Sequence, residues 1–322
     1  MTEFRRVPLS TSVTLNVALR GDRASPPVIF LHGFPESHRT WREIAPRLQD
    51  RFFLVMPDQR GFAASDSPQE IEAYKTDTLV DDIFALADAL GLERFALVGH
   101  DWGGAIAWSA ALRSDTRLTR LAIINAPHPV IFQKSLIESA DQRAASQYIR
   151  AFRTPGFEEA VEAMGFDAFF EKTFSKHVDL AAIPDAERRQ YIAEWSQAGA
   201  FTAMLNWYRA SSVIVPPPGV TVPLPDWLLR ALPKVQVPVL DSNELKLGKL
   251  LMGWSMRAPV LERDGPGASC RRSSVVRLLS TTLRIHASSI TSTCVIEPGT
   301  DSSICTRPRA SWYSLPARRT AL

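Results

Sequence analysis

Cysteine is absent from the first 240 residues, and the three cysteines of the chain, Cys270, Cys294 and Cys305, all come later. Their spacing is neither that of a zinc site nor that of a redox pair, so we interpret them as free thiols and predict no metal ion. Long apolar runs are absent too, and the start of the chain (MTEFRR) lacks the apolar stretch of a signal peptide. We therefore expect a soluble, cytoplasmic protein with no membrane partner.

A compact basic patch is also missing. The net charge is +3, with 45% hydrophobic and 22% charged residues, which is ordinary globular composition. Residues 241–322 contain 12 lysines and arginines against 6 aspartates and glutamates, but these cations form neither a cluster nor an amphipathic stripe. We therefore expect no nucleic-acid partner. The oligomeric state stays open.

Short apolar runs alternate with amphipathic segments over residues 1–127. The runs have the continuous hydrophobicity of buried parallel strands; they are Val28–Leu31, Phe52–Met56, Phe95–Val98 and Leu121–Ile124. The segments between them predict helices at Trp41–Leu48, Thr78–Leu90 and Ala105–Leu112, the second with Asp81 and Asp82 on its solvent face. Val7–Leu19 predicts an antiparallel hairpin at the sheet edge. This alternation predicts an α/β fold, with a mostly parallel sheet and helices on both faces.

Strand patterns disappear over residues 128–220, where helical periodicity and a high density of aromatic residues take over. We interpret this block as a helical lid inserted into the sheet, ended by the prolines of Pro216–Gly219. Lys234–Leu240 then predicts a strand that returns the chain to the sheet. The predicted organisation is 1–127 for the first part of the core, 128–220 for the lid and 221–322 for the return to the core.

The run Gly99–Gly103 (GHDWG) follows a predicted strand and precedes a predicted helix. Glycines two residues before and two after the central position are typical of a nucleophile elbow, a strained turn that presents its central side chain at the sheet edge. Serine usually occupies that position, whereas Asp101 would attack carbon directly and form an alkyl ester. The alternative is a tight turn with an N-capping aspartate. A dinucleotide-binding fingerprint is excluded because Gly-x-Gly-x-x-Gly does not occur at this turn.

The run His32–Pro35 (HGFP) follows the predicted strand Val28–Leu31. In a fold with a nucleophile elbow, this loop supplies one backbone N–H of the oxyanion hole, and the residue after the nucleophile supplies the other. The predicted donors are therefore Phe34 and Trp102. The alternative is an ordinary turn in which His32 is structural, and we assign His32 no role in proton transfer.

Three motifs together closely resemble the epoxide hydrolase branch of the α/β-hydrolases: HGFPES at 32–37, DQRG at 58–61 and VGHDWGG at 98–104. Two lid segments add to the resemblance, since NWYR at 206–209 and QY at 147–148 look like the segments that carry the family's ring-opening tyrosines. The resemblance covers residues 5–240. It implies an α/β-hydrolase fold, Asp101 as nucleophile, Tyr148 and Tyr208 as the tyrosines, a small-molecule epoxide as substrate and no cofactor. The aromatic lid favours an apolar epoxide.

Paired tyrosines suit this chemistry because attack on an epoxide generates an alkoxide, which leaves poorly unless a phenol donates a hydrogen bond or a proton. Two phenols that face the carboxylate would orient the ring and stabilise the developing charge. The alternative for each of Tyr148 and Tyr208 is an amphipathic core residue. Tyr191 is assigned to the core.

The amino-acid composition of the sequence changes after Leu240. Residues 241–322 contain no phenylalanine but 13 serines and 7 threonines, and their apolar residues follow neither structural period. The histidine that would activate water for ester hydrolysis, and its acid partner, are not recognisable there. His286, with Asp264 or Glu262, fits an incidental polar residue better than a catalytic base. We hypothesise that the reading frame shifts near codon 240, which the DNA sequence would settle, and that the chain forms an ester but releases little diol.

Two other functions stay open from the sequence. A haloalkane or haloacid dehalogenase also uses an elbow aspartate, and Trp102 would then bind halide through its indole N–H. A non-catalytic ligand-binding protein would keep the pocket without turnover. Diol formation, halide release and ester formation on Asp101 distinguish the three.

Overall fold

An eight-stranded sheet forms the centre of the computed structural model, which describes residues 1–113, 115–175, 179–229, 234–241 and 294–296. The strands lie in the order β1-β2-β4-β3-β5-β6-β7-β8. Neighbours from β4 to β7 pair in parallel, whereas β1–β2, β2–β4 and β7–β8 pair antiparallel. The strand bounds are β1 Glu3–Pro8, β2 Thr14–Arg20, β3 Pro27–Leu31, β4 Phe53–Pro57, β5 Phe95–His100, β6 Leu118–Ile124, β7 Val239–Asp241 and β8 Cys294–Ile296. The predicted mostly parallel sheet and its edge hairpin are confirmed.

Both faces of the sheet are covered, since the central strands β4 and β5 are buried along their whole length. Along β3, Val28 and Phe30 belong to one apolar cluster, whereas Ile29 and Leu31 belong to another. Successive side chains of a strand point to opposite faces, so these clusters are the two faces of the sheet.

Three α-helices accompany the first half of the sheet: α1 Ala45–Leu48, α2 Thr76–Ala89 and α3 Trp102–Leu112. The predicted single helix Trp41–Leu48 is wrong, since a 3-10 helix at His38–Trp41 precedes the separate single turn of α1. Pro46 lies in the first turn of α1, where its missing N–H costs nothing. Residues from α2 and α3 pack in the cluster with Ile29, and those from α1 pack in the cluster with Val28.

The predicted solvent exposure of Asp82 is also wrong. Its side chain on α2 is buried and accepts hydrogen bonds from Arg60 Nε at 2.8 Å and Arg60 Nη2 at 2.7 Å. A carboxylate tolerates burial when a fork-shaped guanidinium satisfies both of its oxygens. Helical periodicity could not reveal this partner, because Arg60 lies 22 residues earlier.

Seven α-helices follow β6 and precede β7 in the described part of the chain. They are α4 Pro129–Glu138, α5 Ala140–Ala145, α6 Gln147–Phe152, α7 Phe157–Met164, α8 Phe166–Phe174, α9 Asp185–Trp195 and α10 Ala200–Ala210. Aromatic side chains from α8 and α9 pack together, and Phe174 of α8 lies 6.1 Å from Tyr191 and 6.3 Å from Trp195 of α9 between ring centroids. Tyr191 therefore lies in the core. Within the described ranges, none of the helices has the length and apolarity needed to cross a bilayer.

The return to the sheet is shorter than predicted. Within Lys234–Leu240 only the last two residues belong to β7, which continues to Asp241. Pro238 precedes the strand and still accepts a hydrogen bond from Leu121 N at 3.0 Å, although it has no N–H of its own to donate. Apart from β8, residues 242–322 lie outside the described part of the chain.

Candidate active site

Asp101 lies in a sharp turn between β5 and α3. Its backbone has φ 51° and ψ −119°, a strained conformation for a residue with a side chain. A Cβ at Gly99 would lie 2.4 Å from Gly103 O, and a Cβ at Gly103 would lie 2.3 Å from Leu31 O. Both positions therefore require glycine. Asp101 occupies the N-cap position of α3 without a side-chain capping hydrogen bond, which does not favour the alternative of an N-capping aspartate.

The carboxylate of Asp101 is held by backbone N–H groups. Phe34 N donates to Asp101 Oδ1 at 3.0 Å, and the backbone N–H of Trp102 donates to the same carboxylate. A Cβ at Gly33 would lie 2.5 Å from Asp101 Cβ, so the loop approaches this closely only because residue 33 is glycine. Burial raises the pKa of Asp101 above its usual value, although the charge of His100 and the two backbone donors oppose that rise.

His32 joins the loop after β3 to the loop after β4. Its Nε2 accepts the backbone N–H of Gln59 at 3.1 Å, and its Nδ1 lies 2.9 Å from Gly33 O. A ring that accepts at Nε2 and donates from Nδ1 is neutral, and burial lowers the pKa of His32 accordingly. Its contacts are those of a structural residue that fixes the Gly33 loop.

A buried acid–base pair lies beside Asp101 and was missed from the sequence. His100 Nδ1 is 3.2 Å from Glu36 Oε2, and both side chains are almost inaccessible to solvent. Burial alone lowers the pKa of His100, but the hydrogen bond and the charge of Glu36 raise it above its usual value. Burial alone raises the pKa of Glu36, and the same contact lowers it below its usual value. The sequence did contain a signal for this pair, because Glu36 lies in the HGFPES motif and His100 in the VGHDWGG motif.

A cavity of about 80 Å³ opens on Asp101. It brings together the side chains of Asp101, Trp102, Tyr148 and Tyr208, while Phe34 reaches the carboxylate through its backbone. Most of the wall is apolar, and no histidine among the described residues lines it. The lining residues are Asp101, Trp102, Ala105, Asn125, Ala126, Pro127, Pro129, Phe132, Tyr148, Ile149, Tyr208, Ser211 and Val213.

The two tyrosines come from different helices, Tyr148 from α6 and Tyr208 from α10. Their ring centroids lie 6.2 Å apart with an interplanar angle of 82°. Burial, together with the negative charge of Asp101, raises the pKa of both phenols well above the usual value. Both are therefore neutral hydrogen-bond donors across the physiological range. The indole N–H of Trp102 donates to the hydroxyl of Tyr208.

Indole and amide groups anchor α9 and α10 to the sheet domain. Trp207 Nε1 donates to Arg60 O at 2.9 Å, Trp195 Nε1 donates to Pro35 O at 2.7 Å, and Asn206 Nδ2 donates to Gln69 O at 3.0 Å. Trp207 is the residue before Tyr208, so its bond also fixes that tyrosine. Sequence reasoning missed these anchors, because a tryptophan in an apolar helix gives no sign of which carbonyl it will meet.

Asn125 was also missed. It directly follows β6 with φ 53°, is 5% exposed and lines the cavity. Its position after a parallel strand was the available signal, since such strand ends face the binding crevice in α/β folds. Among the described residues, no group of three or more histidine, cysteine, aspartate or glutamate side chains is placed to hold a metal ion.

Comparison with known proteins agrees with this geometry. Residues 26–164 match the family described as the alpha/beta hydrolase fold. The chain is 37% identical over 207 residues to the AB hydrolase superfamily protein YfhM of Bacillus subtilis (strain 168), covering 62% of this chain and 71% of that protein. It is 32% identical to epoxide hydrolase 3 of Xenopus tropicalis over 62% of this chain, but spans only 56% of that relative.

A solved structure described as novel epoxide hydrolases belonging to the alpha/beta hydrolases superfamily in metagenomes from hot environments superposes with a TM-score of 0.66. Its sequence is 44% identical, and the match covers 75% of this chain and 81% of that one. The chain therefore belongs to the epoxide hydrolase branch of the α/β-hydrolase superfamily.

Proposed function

We propose that this protein opens epoxides by forming a covalent ester on Asp101. One observation carries the proposal: a buried carboxylate at a nucleophile elbow shares a mostly apolar cavity with two neutral phenols. The apolar wall supports an apolar epoxide as the substrate. Helices α4–α10 act as the lid that supplies the phenols.

The first half-reaction uses only described residues. The free carboxylate oxygen of Asp101 attacks an epoxide carbon, and the carbon–oxygen bond of the ring breaks with its electron pair moving to oxygen. Tyr148 and Tyr208 donate to that oxygen, and one of them transfers its proton. Oδ1, which already accepts the backbone N–H of Phe34, becomes the ester carbonyl oxygen, and the N–H groups of Phe34 and Trp102 form the oxyanion hole.

The second half-reaction requires a base that activates water against the ester carbonyl. No described histidine lines the cavity, and His286, Asp264 and Glu262 lie outside the described residues. We therefore propose that the ester accumulates and that little diol is released. A reading frame that shifts near codon 240 would account for the missing histidine and acid motifs.

The contacts of Trp102 favour epoxide opening over dehalogenation. Halide binding would require a free indole N–H, whereas that of Trp102 donates to the hydroxyl of Tyr208. Paired phenols have no role in displacing a halide, because halide leaves without protonation. A chloroalkane should therefore neither release chloride nor modify Asp101.

Mass spectrometry of the full chain after incubation with styrene oxide tests the proposal. We expect a mass increase of one epoxide per chain and a modified peptide that contains Asp101. Asp101→Asn, which keeps the size of the side chain but removes the carboxylate, should gain no mass. Absence of the adduct from the parent would overturn the proposal and favour a binding protein. Chloride release from 1-chlorobutane would favour a dehalogenase.

A further inference from the structure

Arg153 ends the helix that carries Tyr148 and clamps the end of the helix that carries Tyr208. It is the C-cap residue of α6. Its guanidinium donates from Nε to Tyr208 O at 2.7 Å, from Nη1 to Val213 O at 2.8 Å and from Nη2 to Ser211 O at 3.0 Å. One side chain therefore satisfies three backbone carbonyls at and beyond the end of α10.

The environment of Arg153 is unusual for a cation. Among the described residues its guanidinium contacts carbonyl oxygens and no carboxylate, and burial lowers its pKa. The partial negative charge at the C-terminus of α10 compensates part of that desolvation. A rigid fork with fixed donor directions is suited to this role, whereas a lysine ammonium is a point charge on a flexible stem.

The clamp also constrains the aromatic rings between the two helices. Phe152, the residue before Arg153, packs edge-on against Tyr148 at 5.4 Å and against Tyr208 at 4.9 Å between ring centroids. A shift of α10 relative to α6 would therefore change the separation of the two phenols.

We propose that Arg153 is a positioning residue that sets the separation of the Tyr148 and Tyr208 hydroxyls by tying the end of α10 to the end of α6. The inference rests on the proposed ring-opening function. A displacement of about 1 Å in such a constellation can reduce a rate about a hundredfold. Arg153 thus contributes to ring opening without touching the substrate.

Arg143, on the neighbouring helix α5, provides a matched control. Its guanidinium also donates to three carbonyls, those of Leu136 at 3.1 Å, Val220 at 3.1 Å and Ile137. These carbonyls lie at the end of α4 and in the chain before β7, and none belongs to a residue of the tyrosine helices. Arg143→Met therefore removes an equivalent clamp without loosening the two phenols.

The test measures the rate of ester formation with styrene oxide in the full chain, as a function of epoxide concentration. We expect Arg153→Met to lower the rate constant at saturation by roughly ten- to a hundredfold, with little change in half-saturating concentration. Arg153→Lys should lower it less, and Arg143→Met should leave it unchanged. In a Tyr208→Phe background, the further effect of Arg153→Met should largely disappear, because coupled residues are not additive.

Ultraviolet titration of the tyrosines provides a readout that does not depend on the reaction. We expect the two cavity phenols to ionise at lower pH in Arg153→Met than in the parent or Arg143→Met, because a loosened cavity admits water. An unchanged rate, an equal loss in Arg143→Met, or an undiminished effect in the Tyr208→Phe background would overturn the inference. If the parent forms no ester, the proposed function is wrong and the rate no longer tests this inference. An unchanged tyrosine titration in Arg153→Met would then overturn the inference as well.

Discussion

Asp101 and the two tyrosines, Tyr148 and Tyr208, reach the same cavity by different means. On the sheet side, Asp101 is positioned by the backbone, since neighbouring glycines pass so close to other main-chain atoms that no Cβ fits. On the helical side, Tyr148 and Tyr208 are positioned by side chains that donate to distant carbonyls. Examples are Trp207 to Arg60 O and Arg153 to Tyr208 O.

This difference predicts how substitutions should affect the sheet side and the helical side of the site. Backbone packing has little room to adjust, because atoms in a close-packed interior have no adjacent space to occupy. A substitution on the sheet side should therefore unfold the turn as a whole. Hydrogen bonds from side chains can be removed one at a time. A single substitution on the helical side should therefore displace the tyrosines only slightly.

The largest effect is expected from Gly103→Ala. The added Cβ would lie 2.3 Å from Leu31 O and 2.5 Å from His32 O, and both are backbone atoms. We expect a loss of more than about 3 kcal/mol in the free energy of unfolding, although alanine normally favours helices. Urea denaturation measures the loss.

Gly219→Ala is the control for that substitution. Gly219 has φ +76° but no atom within 4 Å of its would-be Cβ, so only the backbone conformation is penalised, by about 1 kcal/mol. Equal losses in the two variants would contradict the steric account of the elbow.

A smaller effect is expected from Trp207→Phe, which removes the hydrogen bond to Arg60 O. Leaving that buried carbonyl unpaired should cost about 2 kcal/mol in unfolding free energy, and ester formation should slow because Tyr208 loses its neighbouring anchor. Urea denaturation and the mass-spectrometric rate report the two effects.

Trp41→Phe is the matched control. Trp41 is equally buried, but its Nε1 has no hydrogen-bond partner among the described residues. Removing an unpaired donor should cost less stability and leave the ester-forming rate intact. Similar losses in both variants would show that lost ring packing, and not the hydrogen bond, dominates.

The smallest effect on stability is expected from Asp101→Asn, and that effect changes with pH. Burial raises the pKa of Asp101 in the folded state, so the unfolded carboxyl ionises first. Folding stability therefore falls as pH rises through the unfolded and then the folded pKa. Asparagine cannot ionise, so the variant does not lose this stability. The melting temperature of the variant minus that of the parent should therefore increase as the pH is raised from acid to neutral.

Asp115→Asn should show the opposite trend. A hydrogen bond from Arg117 lowers the pKa of Asp115, so its ionised form stabilises the fold above the unfolded pKa. The asparagine variant should lose stability relative to the parent as pH rises. Parallel trends in the two variants, followed by calorimetry, would contradict the assigned environment of Asp101.

The two halves of the site also differed in how much could be predicted. The strands around Asp101 and the elbow itself follow from patterns only a few residues long, and the N–H groups of Phe34 and Trp102 donate to the Asp101 carboxylate. Tyr148 and Tyr208 needed a resemblance to known enzymes, because nothing local separates them from the core residue Tyr191.

Long-range partners could not be predicted. The burial of Asp82 against Arg60, the pairing of Glu36 with His100, and the bond from Trp207 to Arg60 O join residues separated by 22, 64 and 147 positions. Periodicity describes which face of an element is buried, but it carries no information on which polar group meets another across the fold.

We propose that the described residues suffice to form the ester on Asp101 but not to hydrolyse it. The most direct test is a time course with excess styrene oxide, in which intact protein mass and released diol are measured together. We expect the adduct to reach one per chain and to persist, with diol staying below one per chain. Continued diol release from a chain that remains unmodified would contradict it.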